Sequence, residues 1–387
     1  MTPPRIYLDY NATAPLLSAA RDAVVEAMAL PGNASSIHAE GRAARQALEA
    51  ARSAVAGLMG VRARDVTFTA GGTEAANLVL TPSLTDGGAP LTRLFMAAGE
   101  HACVLQGHRF PQDAVASVPL TADGRIDLSA LRAMLAEAAG ERVLLALQAA
   151  NNETGVLQPV AEAAELVHAA GGLLVCDAVQ AAGRIDLRGL GADALFVSAH
   201  KIGGPKGAAA LAFANIRLHI SEALVRGGGQ EKGLRAGTEN IAAIAGFGVA
   251  ARLAHENREA EMGRLSALRE TLESKLAAFC PEVVFFGQGV PRLAQTSSFA
   301  VPGVAAETLL IALDLGGVAA SSGSACSSGK VQPSHVLRAM GVAPDLAKGA
   351  LRISLGAGTQ ASDIEAFCGQ LEKSVRNIRS RLVKTAA

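Results

Sequence analysis

A chain of 387 residues, half of them apolar, is longer than one hydrophobic core usually covers, so we expect about two domains. Lys plus Arg and Asp plus Glu each number 35, which excludes the basic stripe of a nucleic-acid binder, and no apolar run reaches membrane-spanning length. The amino terminus lacks a secretory pattern, and the five cysteines lack paired or metal-ligand spacing. These features predict a cytoplasmic protein with free thiols and no metal.

Helical and strand patterns alternate through the first two thirds of the chain, which is typical of βαβ units on a mostly parallel sheet. An amphipathic helix is predicted from His38 to Leu58, with Gly60 ending it. Strands are predicted at 66–69, 94–97, 143–147, 173–176, 195–198 and 208–213, with further helices near 74–80, 128–139 and 160–170.

A glycine-rich, charged segment at 226–240 separates this series from the rest of the chain. A helical pattern then runs from about 241 to 279 and predicts a bridge to a smaller carboxyl-terminal domain. In that domain we expect strands at 283–285, 297–301, 318–320 and 351–355, and helices near 307–313, 334–340 and 362–382.

Two apolar strands in the first part of the chain end on ionisable side chains. The strand at 171–177 ends on Asp177, and the strand at 194–198 runs into Ser-Ala-His-Lys, which ends on Lys201. Open α/β sheets bind ligands at the carboxyl ends of their strands. Pyridoxal phosphate needs an amine that forms a Schiff base and a carboxylate that keeps its pyridine nitrogen protonated. For either residue alone, a capped strand or a solvated lysine is the alternative.

A candidate phosphate site lies where the strand at 66–69 runs into Gly71, Gly72 and Thr73 and then into a helix. A helix amino terminus offers unpaired N–H groups and a positive dipole end to an anion. The alternative is an ordinary cap made by Thr73. Ser198 and His200 could donate to the same phosphate once Lys201 reaches the aldehyde carbon.

Three more polar residues follow predicted strands. His101 could stack on a flat cofactor ring and move protons. Asn152 could supply an amide to the phenolic oxygen of the cofactor or to a substrate carboxylate, and Gln180 lies three residues after Asp177. For each of them a turn or a polar cap is the alternative.

Two residues in the last part of the chain carry further chemistry. Cys326 lies among serines and glycines on a predicted long loop, where an exposed thiol can act as a nucleophile, although a chance surface cysteine is the alternative. Arg352 lies inside an apolar strand, where a guanidinium needs an anionic partner or a route to water. It would be either a clamp for an amino-acid carboxylate or half of a structural ion pair.

Taken together, these motifs resemble the cysteine desulfurases of the NifS/IscS-like group, within the class V aminotransferase family of fold-type I pyridoxal-phosphate enzymes. The similarity runs in order through 7–15, 32–38, 71–74, 100–101, 151–155, 177–180, 198–201, 227–230, 235–240, 321–326 and 352–354. Departures from the family pattern are small: Glu231 and Lys232 stand where an arginine is commoner, and Ala199 stands where glycine is often found.

The resemblance implies a fold of the α/β class, with a mostly parallel seven-stranded sheet in the large domain and a smaller α+β carboxyl-terminal domain. It implies a large domain over 16–255 and a small domain over 256–387, which the amino-terminal segment 1–15 joins. It also implies a homodimer with shared sites.

The roles that the resemblance implies fall on residues already noted. Lys201 would be the Schiff-base lysine, Asp177 the partner of the pyridine nitrogen and His101 the ring-stacking acid or base. The other contacts would be Gln180 at the phenolic oxygen, Gly72, Thr73, Ser198 and His200 at the phosphate with Thr238 of a second subunit, and Asn152 and Arg352 at the substrate carboxylate.

The implied reaction is the removal of sulfur from L-cysteine, with Cys326 attacking the substrate sulfur to leave alanine and an enzyme persulfide. The persulfide would serve a sulfur-acceptor protein such as an iron–sulfur scaffold. A selenocysteine lyase and another pyridoxal-phosphate β-lyase are the alternatives within the enzyme class. A catalytically silent sulfur-transfer or scaffold partner is the alternative outside it.

Overall fold

The computed structural model describes residues 5–322 and 334–386. Its strands are short, and the longest has six residues. In chain order they are β1 (Ile6–Tyr7), β2 (Val66–Thr69), β3 (Leu84–Thr85), β4 (Arg93–Ala97), β5 (Val115–Val118), β6 (Val143–Gln148), β7 (Leu173–Asp177), β8 (Ala194–Ser198), β9 (Ala209–Phe213), β10 (His219–Ile220), β11 (Val284–Phe285), β12 (Thr296–Ala300), β13 (Val318–Ala319) and β14 (Ala350–Ser354).

The helices include the predicted amphipathic helix, which His38 caps by accepting a hydrogen bond from the Gly41 N–H and which ends at Gly60 with a φ of 71°. In chain order they are α1 (Ser18–Met28), α2 (Ala39–Met59), α3 (Gly72–Val79), α4 (Ala102–Leu105), α5 (Leu128–Glu137), α6 (Val160–Ala169), α7 (Ile241–Glu256), α8 (Arg258–Phe279), α9 (Ala306–Leu315), α10 (His335–Ala339), α11 (Pro344–Ala347) and α12 (Ala361–Ala386).

Seven strands form the main sheet in the order β2-β9-β8-β7-β6-β4-β5. The pairs from β8 to β5 are parallel, and β9 is antiparallel to both of its neighbours. The strands from β6 to β9 are buried along their whole length, as expected for strands covered on both faces. The predicted mostly parallel seven-stranded sheet is therefore confirmed.

Helices cover both faces of this sheet, and β6 shows how the strand sequence divides between them. Leu144 and Ala146 pack in the core that contains α3. Leu145 and Leu147 pack on the opposite face, in the core that contains α2, α6 and α7. Because successive strand side chains point to opposite faces, a continuous apolar run serves both cores.

A second, three-stranded antiparallel sheet forms in the carboxyl-terminal part, in the order β11-β12-β14. Helices α8, α9 and α12 contribute Leu272, Leu309 and Phe367 to its core. The amino-terminal strand β1 pairs in parallel with β13, so the start of the chain lies beside this part of the fold. The exact boundaries at 15 and 255 stay a prediction.

The helix predicted over 241–279 is two helices. Asn257 ends α7 with a ψ of 4°, and α8 starts at the next residue, because the chain leaves the helical conformation there. Helix α1 and strand β5 had no sequence prediction. Among the residues that the structure describes, strand β5 pairs only with β4, and it is only partly buried, so its apolar pattern is weak.

The cysteines that the structure describes are free, buried thiols, at positions 103, 176, 280 and 368. Across residues 5–322 and 334–386, no helix is long and apolar enough to cross a membrane. In the same part of the chain, no group of three or more His, Cys, Asp or Glu side chains is arranged to hold a metal ion.

Candidate active site

The candidate site lies at the carboxyl edge of the main sheet, where β2, β7 and β8 end. Helix α3 follows β2 and begins at Gly72, close to the loop that follows β7 and to the end of β8. A Cβ atom placed on Gly72 would lie 3.4 Å from Val179 Cγ2 and 3.7 Å from Ser198 Cβ. The fold thus brings three of the predicted motifs to one place, as their positions at strand ends require.

The start of α3 is open to an anion. Gly71 is the N-cap residue and supplies no side-chain cap, while Thr73 lies inside the helix and is exposed. The alternative in which Thr73 caps the helix is therefore excluded. Because the first N–H groups of a helix lack partners within the helix, they remain available to a phosphate.

Asp177 is the last residue of β7 and is 8% exposed. Its Oδ1 accepts a hydrogen bond of 2.9 Å from the Val179 N–H, and Oδ2 has no partner within the described residues. Burial raises the pKa of Asp177 to about 6, although the Val179 N–H and the charge of Lys201 act in the opposite direction. One carboxylate oxygen is thus free to bind a cationic N–H group.

Lys201 lies in the short turn that follows β8. Its Nζ donates to the carbonyl oxygens of Asn11 at 2.7 Å and Ala12 at 2.8 Å. Burial lowers the pKa of Lys201 to about 8, helped by the positive charges of Arg352 and Arg184. A sizeable fraction of this amine is therefore neutral near physiological pH, as a nucleophile toward an aldehyde must be.

Gln180 is connected to the lysine through the same carbonyl group. Its Nε2 donates to the Asn11 oxygen at 2.9 Å. On its other side, Gln180 Oε1 accepts a hydrogen bond from Nη1 of Arg184. The predicted cofactor contact Gln180 and the predicted Schiff-base residue Lys201 therefore meet at one main-chain oxygen of the amino-terminal segment.

The two predicted histidines are both held as neutral rings. His101 caps α4, with Nδ1 accepting a 3.1 Å hydrogen bond from the Cys103 N–H, which leaves the ring proton on Nε2. Burial lowers its pKa, as do the charges of Lys201 and His335. Burial, followed by the charges of Lys201 and Lys206, lowers the pKa of His200 to about 4. His200 Nδ1 shares a 3.2 Å hydrogen bond with the Thr13 hydroxyl.

Arg352 has the anionic partner that its apolar strand requires. Nη2 lies 2.7 Å from Asp9 Oδ1, and Nη1 donates to the Asn152 carbonyl oxygen at 3.1 Å. Its Nε is buried without a partner within the described residues. The ion-pair alternative is thus realised with Asp9. The contact of Arg352 and of the Asn152 amide with a substrate carboxylate stays a prediction.

Two predicted site residues are not placed in this cluster. Thr238 is exposed in the segment between β10 and α7, beside a small cavity that Thr69 and Ala70 also line. Its contribution to a second subunit stays a prediction. Cys326 lies outside the described residues.

Sequence reasoning missed several residues of the site. The Asn11 main-chain oxygen accepts hydrogen bonds from both Lys201 and Gln180. Glu100 is fully buried, and its Oε2 has no hydrogen-bond partner in the part of the chain that the structure describes. Burial raises the pKa of Glu100 well above its usual value, and the charge of Asp177 adds to this. Glu153 accepts a hydrogen bond from the Ser334 hydroxyl, just before α10. The available signal was the position of Glu100 and Glu153 in the loops that follow β4 and β6, because such loops line the carboxyl edge of the sheet.

The comparison with known families covers almost the whole chain. The sequence model described as Aminotransferase class-V matches residues 6–367. The chain belongs to the class-V aminotransferase family. The predicted family is thereby confirmed.

Relatives of this class-V aminotransferase chain align with it over nearly its whole length. A protein named cysteine desulfurase, from Cereibacter sphaeroides, is 41% identical over an alignment of 386 residues, and the match covers 97% of each chain. An IscS-like cysteine desulfurase from Mycobacterium tuberculosis (strain ATCC 25618 / H37Rv) is 36% identical over an alignment of 391 residues, and the match covers 98% of each chain. The X-ray structure of a NifS-like protein from Rickettsia africae ESF-5 matches with a TM-score of 0.86 and 35% identity, over 96% of this chain and 99% of that one.

Proposed function

We propose that this chain is a pyridoxal-phosphate-dependent cysteine desulfurase, which takes sulfur from L-cysteine, releases L-alanine and holds the sulfur as a persulfide on Cys326. Two residues at the carboxyl edge of the sheet carry the proposal. Lys201 has an amine with a lowered pKa, and Asp177 has a buried carboxyl group with one free oxygen. Full-length relatives that bear this name support it.

The residues present fit the cofactor. The free oxygen of Asp177 suits a protonated ring nitrogen, and the amide of Gln180 suits a phenolic oxygen. The uncapped start of α3 suits a phosphate. The groups that would hold that phosphate are Gly72, Thr73, Ser198 and His200, with Thr238 of the partner subunit.

Pyridoxal phosphate, when bound, supplies the electron sink that carbon–sulfur cleavage needs. Lys201 supplies an amine whose pKa of about 8 lets it take up and return a proton at Nζ. His101 stays neutral, so its Nε2–H group can donate a hydrogen bond. Asp177 is ionised above about pH 6 and can then hold a positive charge in place.

Arg352 and Asn152 would orient the carboxylate of the substrate. A guanidinium binds a carboxylate through two parallel N–H groups, and the buried Nε of Arg352 has no partner within the described residues. Asp9 already neutralises this arginine, so a substrate carboxylate would compete with Asp9 for Nη2. The exchange of one carboxylate for another leaves no charge of the arginine uncompensated.

The choice of Cys326 as the nucleophile also rests on the other four cysteines. Burial raises the pKa of Cys103, Cys176 and Cys280, and it raises the pKa of Cys368 to about 11. A thiol that stays protonated at neutral pH is a poor nucleophile, because the thiolate is the reactive form. The remaining cysteine of the sequence is Cys326, whose neighbours in the chain are small serine, glycine and alanine residues.

The sulfur-transfer step needs the Cys326 thiolate, the substrate and one proton. The Cys326 thiolate attacks the sulfur of cysteine, and a sulfur–sulfur bond forms while the carbon–sulfur bond breaks. The electron pair of the broken bond stays with the substrate carbon, which takes a proton and becomes the methyl group of alanine. The persulfide is then available to a sulfur-acceptor protein, such as an iron–sulfur scaffold.

The proposal includes a homodimer, in which Thr238 completes the site of the partner subunit, and a cytoplasmic location. Free thiols at the four described cysteines support a reducing compartment. It also includes a large domain over 16–255 and a small domain over 256–387, with the segment 1–15 joined to the small domain. The pairing of β1 with β13 supports that connection.

The experiment is turnover of purified, cofactor-loaded protein with L-cysteine and, separately, with L-selenocysteine. We expect one alanine for each sulfur released, and faster turnover of L-cysteine. Alanine formed from L-selenocysteine alone would assign a selenocysteine lyase. No alanine from either substrate would contradict the proposal and favour a silent sulfur-transfer partner.

A further inference from the structure

Arg184 is a charged residue beside the site, and it has no role in the proposed reaction. It follows β7 at the seventh position after Asp177, and its side chain is half-buried. Burial and the charge of Arg352 lower its pKa to about 10, so the guanidinium is charged at neutral pH. No carboxylate of the described residues pairs with it. A poorly hydrated charge without a counter-ion lowers the stability of the fold, so hydrogen bonds to neighbouring groups must compensate for it.

Two predicted cofactor residues supply oxygen atoms that accept hydrogen bonds from Arg184. Nη1 donates to the main-chain oxygen of Gln180 at 2.8 Å and to the side-chain Oε1 of Gln180. Nη2 donates to the main-chain oxygen of Lys201 at 3.3 Å. The fork of the guanidinium therefore joins the loop after β7 to the turn that carries the lysine.

The contact with Oε1 gives the Gln180 amide a single orientation. A guanidinium only donates and a main-chain carbonyl only accepts, so the amide oxygen must face Arg184 and the amide nitrogen must face Asn11. In this orientation Nε2 keeps a second N–H group for another acceptor. Without Arg184, one of the two hydrogen bonds that fix this orientation is lost, and the amide can turn more freely.

Arg184 also acts on the amine of Lys201 through its charge. After burial and Arg352, it is the next cause of the lowered pKa of Lys201. A neighbouring cation disfavours the protonated amine. One side chain thus affects both the neutral fraction of Lys201 and the direction of the Gln180 amide.

We propose that Arg184 is a positioning residue for the cofactor, which orients the Gln180 amide toward the phenolic oxygen of pyridoxal phosphate and fixes the main chain at Lys201. This inference rests on the proposed function for the identity of the cofactor. It does not require that L-cysteine be the substrate.

The test uses Arg184→Met, which removes both charge and donors, and Arg184→Lys, which keeps the charge but not the planar fork. Arg188→Met is the matched control, because Arg188 is exposed and pairs with Asp186. The first readout is made on the cofactor-free chain: the pH dependence with which a small amine reagent modifies Lys201, measured by mass spectrometry. The second readout is the dissociation constant of pyridoxal phosphate.

For Arg184→Met we expect the midpoint of Lys201 modification to move upward from about 8 toward the ordinary lysine value of 10.5. We expect the cofactor to bind about tenfold more weakly, the loss of one good hydrogen bond. Arg184→Lys should keep the midpoint near that of the wild type and still bind the cofactor more weakly. Arg188→Met should change neither.

A double-mutant cycle separates positioning from general damage to the fold. If Arg184 acts through Gln180, then Gln180→Ala combined with Arg184→Lys binds the cofactor about as weakly as Gln180→Ala alone. Additive losses would overturn the proposal, as would an Arg184→Met variant with unchanged midpoint and affinity. If Arg184→Met does not fold, the cycle with Arg184→Lys decides. A wild-type chain that binds no pyridoxal phosphate would instead contradict the proposed function.

Discussion

Asp177→Asn should stabilise the cofactor-free chain near neutral pH. Burial raises the pKa of this carboxyl from 3.8 to about 6, a shift of about two units. Each unit corresponds to about 1.36 kcal/mol, so ionised Asp177 costs the folded chain up to about 3 kcal/mol. Asparagine has the same shape, and its side-chain oxygen can still accept the hydrogen bond from the Val179 N–H.

The sign of the pH dependence follows from the direction of the shift. The folded chain holds the proton more tightly than the unfolded chain, so this contribution to stability is complete below pH 3.8 and is lost as the pH rises through about 6. Urea denaturation of the cofactor-free proteins between pH 4.5 and 8, an interval about this midpoint, measures the effect. The advantage of Asp177→Asn should grow across this interval and then level off.

Asp193→Asn is the matched control, because this buried carboxylate has partners. It lies just before β8 and accepts hydrogen bonds from His168, the Leu174 N–H and Asn215. We expect this variant to lose about 1 to 3 kcal/mol, since one donor is left facing an amide N–H group. If Asp177→Asn is as destabilising as Asp193→Asn, Asp177 is a structural carboxylate and the reasoning is refuted.

Three further predictions concern the other site residues. Lys201→Ala should keep its fold and bind pyridoxal phosphate without the visible absorbance band of a lysine-linked cofactor, and full turnover in this variant would contradict the role of Lys201. In the wild-type chain, the rate of cofactor capture should rise with pH and level off above about 8, as the Lys201 amine becomes neutral. Thr238→Ala should bind the cofactor about tenfold more weakly through loss of a phosphate hydrogen bond. A mixed dimer of one Thr238→Ala subunit and one Lys201→Ala subunit should regain tight binding at one of its two sites. Absence of that rescue would mean that Thr238 serves its own subunit or none. Cys326→Ala should bind L-cysteine and release almost no sulfide, while Cys103→Ala, the change of a buried thiol with a raised pKa, should keep its activity; the reverse result would reassign the nucleophile.

The main sheet could be predicted because its strands are covered on both faces. Strands such as β6 and β7 are continuous apolar runs between glycine-rich joints, and the chemistry-bearing residue follows where each run stops. Asp177 and Lys201 were found this way. Within the described ranges, strand β5 pairs only with β4, and α1 has only two buried residues, so the apolar pattern that reveals an element is weak in both.

The long-range contacts of the site could not be predicted from local patterns. The hydrogen bond from Lys201 to Asn11 joins residues far apart in sequence, and the ion pair of Arg352 with Asp9 joins the two ends of the chain. Strand β1 pairs with β13, and a bridge between Asp9 and Ser354, at the end of β14, then places the Asn11 carbonyl and the Asp9 carboxylate. Apolar periodicity carries no information about such pairs.

Cysteine desulfurase activity is tested most directly by a single turnover. Cofactor-loaded protein is mixed with less than one equivalent of L-cysteine labelled with heavy sulfur, and both the alanine released and the intact mass of the chain are measured. The account predicts one alanine for each labelled sulfur atom gained, with the added sulfur on the peptide that contains Cys326. Alanine without labelled protein, or labelled sulfur on Cys103, Cys176, Cys280 or Cys368, would contradict it.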